Sequence, residues 1–407
     1  MQFLLASGFM LLSWWSLPEK ISKKQITLLL ACGVLLRLIL IPVDSYSSSD
    51  TSRYLFDGKL AYEGFDPYQT AHDAPELEAL KAQWAPPEEH AKYVTLYPPV
   101  ALAFFALSAS TGVEMATPSW KLIVTTFSLI TLFVGALILK QLNKSRHLPL
   151  LALSPLLILE SGVGAHLDTL SAAVITLIIW AYLNQRYSIT GVFIAFGTAI
   201  KLLPLALMMP LVLHHFFNGR IKPCFQIGLS ALAALVVIYG MTFWLGFKPI
   251  GSIGVFFQKW RFGSPLFSSL ESLFPTSSLL VILAALFIIG LLLVSLKLFI
   301  QRQDNSHQAL LDSSQYILAL PLFSSPVLFP WYLMPLMVLT ALQPNLIILS
   351  WITLAPLTYE VLDQFLCCNQ WQPAVWPLWA MLTGVIVAAL IKISLFFSQR
   401  RTTRGNI

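Results

Sequence analysis

Charge is what this chain has least of. Only 11% of its 407 residues are Asp, Glu, Lys or Arg, whereas a soluble domain carries roughly 25%. That is too little polar surface to cover a body facing water on all sides. Cysteine is sparse as well: Cys32, Cys224, Cys367 and Cys368. Two of these fall in or beside apolar runs and the other two are adjacent, a poor geometry for a structural bridge. The spacing therefore predicts no disulfide framework and no metal site. There is no glycine-rich phosphate loop, no internal repeat and no low-complexity linker, so a nucleotide cradle of that kind has no place in the chain. The excess of positive charge is small, +6, and its carriers sit in short connections and at the tail. That is how topology signals are distributed, not a nucleic-acid footprint.

What fills the chain is apolar. Hydrophobic residues make up 57% of it and the mean hydropathy is +0.74. Apolar stretches fall near 2–17, 26–43, 98–112, 120–139, 149–162, 167–183, 189–213, 224–246, 278–300, 315–329, 331–342, 344–361 and 374–397. In lipid every backbone polar group must be satisfied within its own segment, so such runs are helices. The expected fold is an all-α, polytopic integral membrane helix bundle of about 11–13 membrane segments. It reads as a single domain over residues 1–407, with a large first outer loop carrying juxtamembrane helices. The run Gln2–Leu17 has the length of a signal peptide but no basic start, and Pro18-Glu19-Lys20 follows it instead of a small-residue cleavage site. It is expected to remain as a membrane segment.

Orientation is read from Lys and Arg in the short connections. Lys20, Lys23 and Lys24, then Lys140, Lys144 and Arg146, then Arg220 and Lys222, then Lys297 and Arg302, and finally Arg400, Arg401 and Arg404 are all assigned to the cytoplasm. These assignments agree only if two stretches fail to cross. One is 98–112, short and opened by Tyr97-Pro98-Pro99, expected as a juxtamembrane or re-entrant helix on the outer side. The other is 189–213, with Lys201 and Pro204 at its middle, expected either as two half-length helices lining a cavity or as one continuous span. The outer face then receives 44–119, 162–167, 247–277, 362–373 and the turn Phe329-Pro330-Trp331-Tyr332. Segment 44–97 alone holds ten of the nineteen acidic residues, and the catalytic loop is placed at 44–119.

After Ser47-Ser48-Ser49, which can cap a helix, Asp50, Arg53, Tyr54 and Asp57 follow at i, i+3, i+4 and i+7, one face over two turns. A carboxylate there can accept a proton from an attacking hydroxyl, and a guanidinium can hold a phosphate in bidentate fashion. The plain alternative is a solvated face with an internal Asp–Arg pair. Further along come Gly64-Phe65-Asp66-Pro67-Tyr68, Tyr97-Pro98-Pro99, and Glu160-Ser161-Gly162-Val163-Gly164-Ala165-His166-Leu167-Asp168, a polar break between two apolar runs. Ionisable groups at such depth are costly and commonly functional. Lys201 is similar, its alternative being a snorkelling lysine. Arg261, with Lys259 and Trp260 in the outer loop 247–277, could bind a lipid phosphate or simply anchor the interface.

Taken in order, an Asp soon after an early span, RYLFDG with GFDPY and YPP, then GAHLD between two helices, K..P in a short helix pair and a late PWY resemble the GT-C superfamily of membrane glycosyltransferases. The branch is that of bacterial polyprenyl-phosphate-mannose-dependent mannosyltransferases, and the resemblance runs from about residue 26 to 345. It implies transfer of a sugar, mannose, from a polyprenyl-phosphate donor to a lipid- or glycan-linked hydroxyl at the outer face of the cytoplasmic membrane, by inverting displacement. It implies an acidic general base in the first outer loop, which maps best onto Asp50. Relatives commonly show paired acids where this chain has Ser49-Asp50, so Asp44 and Asp57 stay open as alternatives. Arg53, Tyr54, Tyr97, His166, Asp168, Lys201 and Arg261 are the candidate substrate-binding residues. The partners implied are the donor, the acceptor and membrane lipids, with no nucleic acid; no cofactor is expected, and dependence on a divalent metal stays open. A lipid-borne donor needs a lateral apolar groove, cations for the leaving phosphate and one base, and no nucleotide site.

Two other readings compete. A transporter or lipid-glycan flippase would use Lys201, Glu160 and Asp168 as a substrate path, but it calls for an inverted repeat and for polar residues at the midplane. A polysaccharide polymerase or ligase would place its large loop late, rich in arginine.

Overall fold

A computed structural model describes residues 2–302, 307–368 and 370–404. Helices and the loops between them make up those residues, which hold no strand and only one isolated bridge, between Phe262 and Val327. In order come α1 (Gln2–Ser16), α2 (Lys23–Leu38), α3 (Asp50–Tyr62), α4 (Glu78–Trp84), α5 (Pro99–Ala109), α6 (Val113–Gln141), α7 (Pro149–Ala152), α8 (Pro155–Gly162), α9 (Asp168–Leu183) and α10 (Tyr187–Thr198). The second half holds α11 (Met208–Phe217), α12 (Ile221–Trp244), α13 (Ile253–Lys259), α14 (Pro265–Leu273), α15 (Thr276–Ile300), α16 (Gln308–Ser324), α17 (Met334–Leu342), α18 (Leu346–Leu354), α19 (Val361–Cys368) and α20 (Trp376–Arg404).

Among the described residues five stretches are long and apolar enough to cross a membrane: Val113–Gln141, Ile221–Trp244, Ser278–Ile300, Leu346–Cys368 and Trp376–Leu395. The protein is thus an all-α, multi-pass membrane protein. Leu229, Leu232, Val236 and Val237 on α12 stand exposed, as do Leu280, Leu292 and Leu293 on α15 and Leu390 and Ile393 on α20. A row of bare leucines and valines is stable against lipid tails and would not be in water. The interior is built by α9 and α17: all nine residues of α17 are buried, and all of α9 except Leu177 and Trp180.

Other apolar stretches are cut into short pieces by polar breaks. The stretch near 149–162 becomes α7 and α8, interrupted at Ser154, whose hydroxyl accepts a bond from the Leu157 amide. The stretch 189–213 is broken too, with α10 ending at Thr198, a 3-10 turn at Leu203–Leu207, and α11 following. It is not one continuous helix. Pro204 lacks the amide that would continue the ladder and lies against Gly197, where a Cβ would stand 2.9 Å from the proline Cβ. The carbonyl of Ala199, freed at the break, accepts from the amides of Val100 and Ala101 at 2.9 and 3.3 Å. The first turn of α5 is therefore satisfied by the broken segment, as helix starts require.

Helix α5 spans about 16 Å at 1.5 Å per residue, about half of a ~30 Å hydrocarbon core. It packs along α3 so closely that a Cβ on Gly58 would stand 2.2 Å from the Phe105 backbone. One sequence expectation is corrected. The neighbouring Cys367 and Cys368, their Cα atoms 3.8 Å apart, form a disulfide at the end of α19. The tail arginines Arg400, Arg401 and Arg404 lie outside the described side chains.

Candidate active site

Helix α3 starts where the chain turns back from α2. The capping hydroxyl is that of Ser48, accepting from the Asp50 amide at 3.3 Å, while the Ser49 hydroxyl donates instead to the Glu89 carboxylate. The first turn of α3 faces inward. The Tyr54 hydroxyl donates to Asp50 Oδ2 at 3.2 Å; its ring stacks on Phe105 with centroids 4.6 Å apart and meets Tyr97 and Trp120 edge-on. The Arg53 guanidinium lies 5.6 Å from the centre of the Tyr97 ring. It is only 5% exposed and its Nε has no hydrogen-bond partner. This face is buried, so the solvated-face alternative does not hold.

A second element approaches from below. Between α8 and α9 the chain makes a tight loop in which Ala165 adopts φ +49°, a left-handed conformation that costs a residue with a Cβ about 1–2 kcal/mol. The Trp120 indole secures it, donating to the Ala165 carbonyl at 2.8 Å. The loop presents His166, fully buried, with Nδ1 3.5 Å from Asp50 Oδ2. The imidazole lies flat on Trp331, centroids 3.8 Å apart. At the start of α9, Asp168 Oδ1 accepts from Lys201 Nζ at 2.6 Å, and that ammonium lies 3.9 Å from the centre of the Tyr332 ring. The break after α10 is what leaves Lys201 free to reach inward.

Asp50, Arg53, Tyr54, Tyr97, His166, Asp168 and Lys201 thus converge from separate parts of the chain on one small volume, joined by Trp331 and Tyr332. Burial alone would raise the Asp50 carboxyl. Close contact with His166 and its charge outweigh that, with Arg53 and His90 adding, and hold the carboxyl below the usual carboxylate range. Burial and the nearby Arg53 charge push the His90 imidazole down to about 4, so it is neutral at pH 7. Burial and the Asp50 charge lift the phenols of Tyr54 and Tyr97 well above their usual value.

Two candidates have their side chains committed to other partners, although the Asp57 charge still acts on Arg53 and Tyr97. Asp57 is 0% exposed and both its oxygens are engaged: Oδ1 is 2.7 Å from His72 Nε2 and Oδ2 accepts from the Thr95 hydroxyl at 2.7 Å. It ties the middle of α3 to two remote points of the loop. Arg261 is held within its own loop by Glu271 at 2.9 Å, by the carbonyls of Phe257, Gln258 and Trp260, and by the Phe267 ring. That loop is nevertheless fastened to the first one. The Lys248 amide donates to Asp66 Oδ2 at 2.9 Å, and the Ser252 amide to the Thr95 carbonyl at 3.1 Å. A Cβ on Gly251 would stand 2.1 Å from that carbonyl, so only glycine allows the approach. Asp44 is exposed.

The sequence reading passed over several residues of this group. Tyr332 and Trp331 belong to the late PWY, and an aromatic pair between two proline-rich turns was the available signal. Tyr359 bonds Glu160 across 199 residues, and no local pattern announces it. His90 sits in a short acidic turn that reads as ordinary surface.

Residues 1–218 match the family model described as MptA_B family, alpha-(1->6)-mannopyranosyltransferase, N-terminal domain. The match covers more than half of the chain, which belongs to this family. It is a membrane-embedded, mannose-transferring glycosyltransferase. No individual curated protein matches the chain.

Proposed function

We propose, with that membership as premise, that the whole chain is one GT-C-type domain that transfers mannose from a polyprenyl-phosphate donor to a lipid- or glycan-linked hydroxyl at the outer face of the cytoplasmic membrane. The observation that carries this reading is the pairing, in the first turn of α3, of a partly exposed carboxylate with a buried guanidinium lacking a full set of partners. The Asp50 side chain is 21% exposed, while Arg53 is buried with Nε unbonded. A cation left so in the interior is costly unless an anion joins it, and the phosphate of a lipid-linked sugar is such an anion.

In this mechanism Asp50 takes the proton of the acceptor hydroxyl as that oxygen forms a bond to the anomeric carbon. The bond from that carbon to the phosphate oxygen breaks, and its electron pair leaves on the phosphate. Attack and departure on opposite faces invert the centre. Arg53 and Lys201 meet the phosphate charge that grows along the way, which is where preorganised cations lower a barrier most. Asp168 holds Lys201 in place, and the neutral phenols of Tyr54, Tyr97 and Tyr332 offer the sugar hydroxyls donors and a ring face. Asp57 and Arg261 have their partners already and stand outside the reacting group; no divalent ion is invoked.

The flippase reading is weaker because the cluster is gathered around one partly exposed carboxylate rather than strung through the bundle. The deciding experiment incubates purified protein with radiolabelled polyprenyl-phosphate mannose and a membrane lipid extract. Label appearing in a new product lipid or glycan is expected. Label that only changes leaflets in proteoliposomes would replace the transferase by the flippase.

A further inference from the structure

The deep end of the cluster holds a carboxylate for which the transfer step has no evident use. Glu160, near the end of α8, is 2% exposed. Its Oε1 accepts a hydrogen bond from the Tyr359 hydroxyl at 2.6 Å. Its Oε2 has no hydrogen-bond partner and lies 3.4 Å from His166 Nε2. On the other side of the same ring, Nδ1 lies 3.5 Å from Asp50 Oδ2. The ring cannot turn freely, being sandwiched flat against Trp331. Space is cleared for the arrangement by Gly164, where a Cβ would stand 2.4 Å from His166 Cδ2 and 2.7 Å from Glu160 Oε2.

A neutral imidazole has one N–H, whereas the imidazolium has two. A carboxylate oxygen lies within 3.5 Å of each nitrogen of His166 without closing a hydrogen bond to either, and only the charged ring presents an N–H toward both. An ionised carboxylate buried with a single phenol for company is expensive, and a cation beside it offsets that cost. We propose that Glu160 keeps His166 in its imidazolium form, and that this buried pair holds Asp50 ionised and oriented; His166 and Glu160 are positioning residues for the transfer. The inference rests on the reading of Asp50 as the base.

The surrounding groups leave this role to Glu160. Asp50 is faced from its own helix by Arg53 and Tyr54, from the loop by His90 and Tyr97, and from below by His166. His166 is faced in addition by Asp168 at the start of α9, but that carboxylate is already paired with Lys201. Tyr332 and Tyr359 are phenols. During turnover the acceptor proton passes to Asp50 and from its exposed oxygen to water, and the ring keeps its own proton throughout.

The test is the pH–rate profile of mannose transfer from polyprenyl-phosphate mannose, with the full chain in lipid nanodiscs. Glu160→Gln preserves shape and can still accept from Tyr359 through its one oxygen, but it puts an amide NH2 in place of the oxygen facing His166 and carries no charge. The cation beside Asp50 is then no longer held there, and a buried carboxyl so deprived titrates higher. The acid limb is expected to move to higher pH by at least about one unit, with activity recovering toward wild type on the alkaline side. His166→Gln should move the limb the same way, and adding Glu160→Gln to it should move it no further. Thermal unfolding verifies that each variant is folded, and the histidine variant supplies the reading if the glutamate variant does not fold. An unmoved acid limb in a folded variant would overturn the pair's role while leaving Asp50 as the base. Retained activity in Asp50→Asn would instead overturn the base reading itself, so the two failures are told apart.

Discussion

The two carboxylates of α3 stand about two turns apart on one face and meet opposite environments. At the first turn Asp50 is partly exposed, bonded by one phenol and bordered by an imidazole and a buried guanidinium. At the third turn Asp57 is sealed, each oxygen matched to a partner on a distant part of the loop. Identical chemistry keeps uncommitted lone pairs in one place, where the proposed base stands, and is consumed by structure in the other. A carboxylate can serve as a base only where its lone pairs are not all committed, and that is a property of neighbours rather than of the residue.

Substitution is the direct way to break this comparison. The largest effect is expected from Asp50→Asn, which keeps the shape and removes the proposed base; transfer should fall by about 10²–10⁴-fold with the melting temperature little changed. Near-normal turnover there, with loss in Asp57→Asn, would exchange the two roles. Arg53→Ala should come next, slowing transfer or weakening donor binding at least ~100-fold, the scale of one preorganised donor. Steady-state rates across donor concentrations measure it, and an unaffected variant would remove Arg53 from the phosphate.

Asp57→Asn sharpens the contrast from the other side. It leaves His72 and Thr95 buried with a poorer partner and should cost about 1–3 kcal/mol of stability, read by thermal unfolding in detergent, while turnover per folded molecule stays near wild type. The smallest effect is expected from Arg261→Ala, whose partly exposed pair with Glu271 is worth ~0–1 kcal/mol. Transfer rates should be close to wild type, and a drop of the Arg53 size would bring the later loop into the site.

Lys201 shows how far a sequence can be read and where reading stops. A lysine and a proline in the middle of an apolar stretch announce a break, because neither suits a continuous helix in lipid, and α10 ends there. That the ammonium goes to Asp168 and lies over Tyr332 could not be read, since it depends on how three helices pack. Arg37 makes the same point more sharply. In sequence it is one charge near the end of an apolar run. Folded, it is 1% exposed and donates to Ser128 Oγ and to the carbonyls of Gly33, Leu151 and Ala152, binding α2 to α6 and α7, and Ser128 in turn bonds Ser161, the neighbour of Glu160, at 3.1 Å.

By itself, then, the amino-acid sequence determined the solvent and the class of structure. So few charges and so many long apolar runs admit only helices in a membrane, because lipid offers the backbone no hydrogen bonds. It also determined that polar chemistry gathers in the first loop and at two breaks, since an ionisable group in an apolar run is tolerated only where it has partners. Which partners they are was decided by tertiary structure alone. Asp50 meets His166, and Glu160 meets Tyr359 across 199 residues, through packing that brings remote segments within a few ångströms. Hydrogen bonds and charges act over that short range, and a linear pattern holds no record of it.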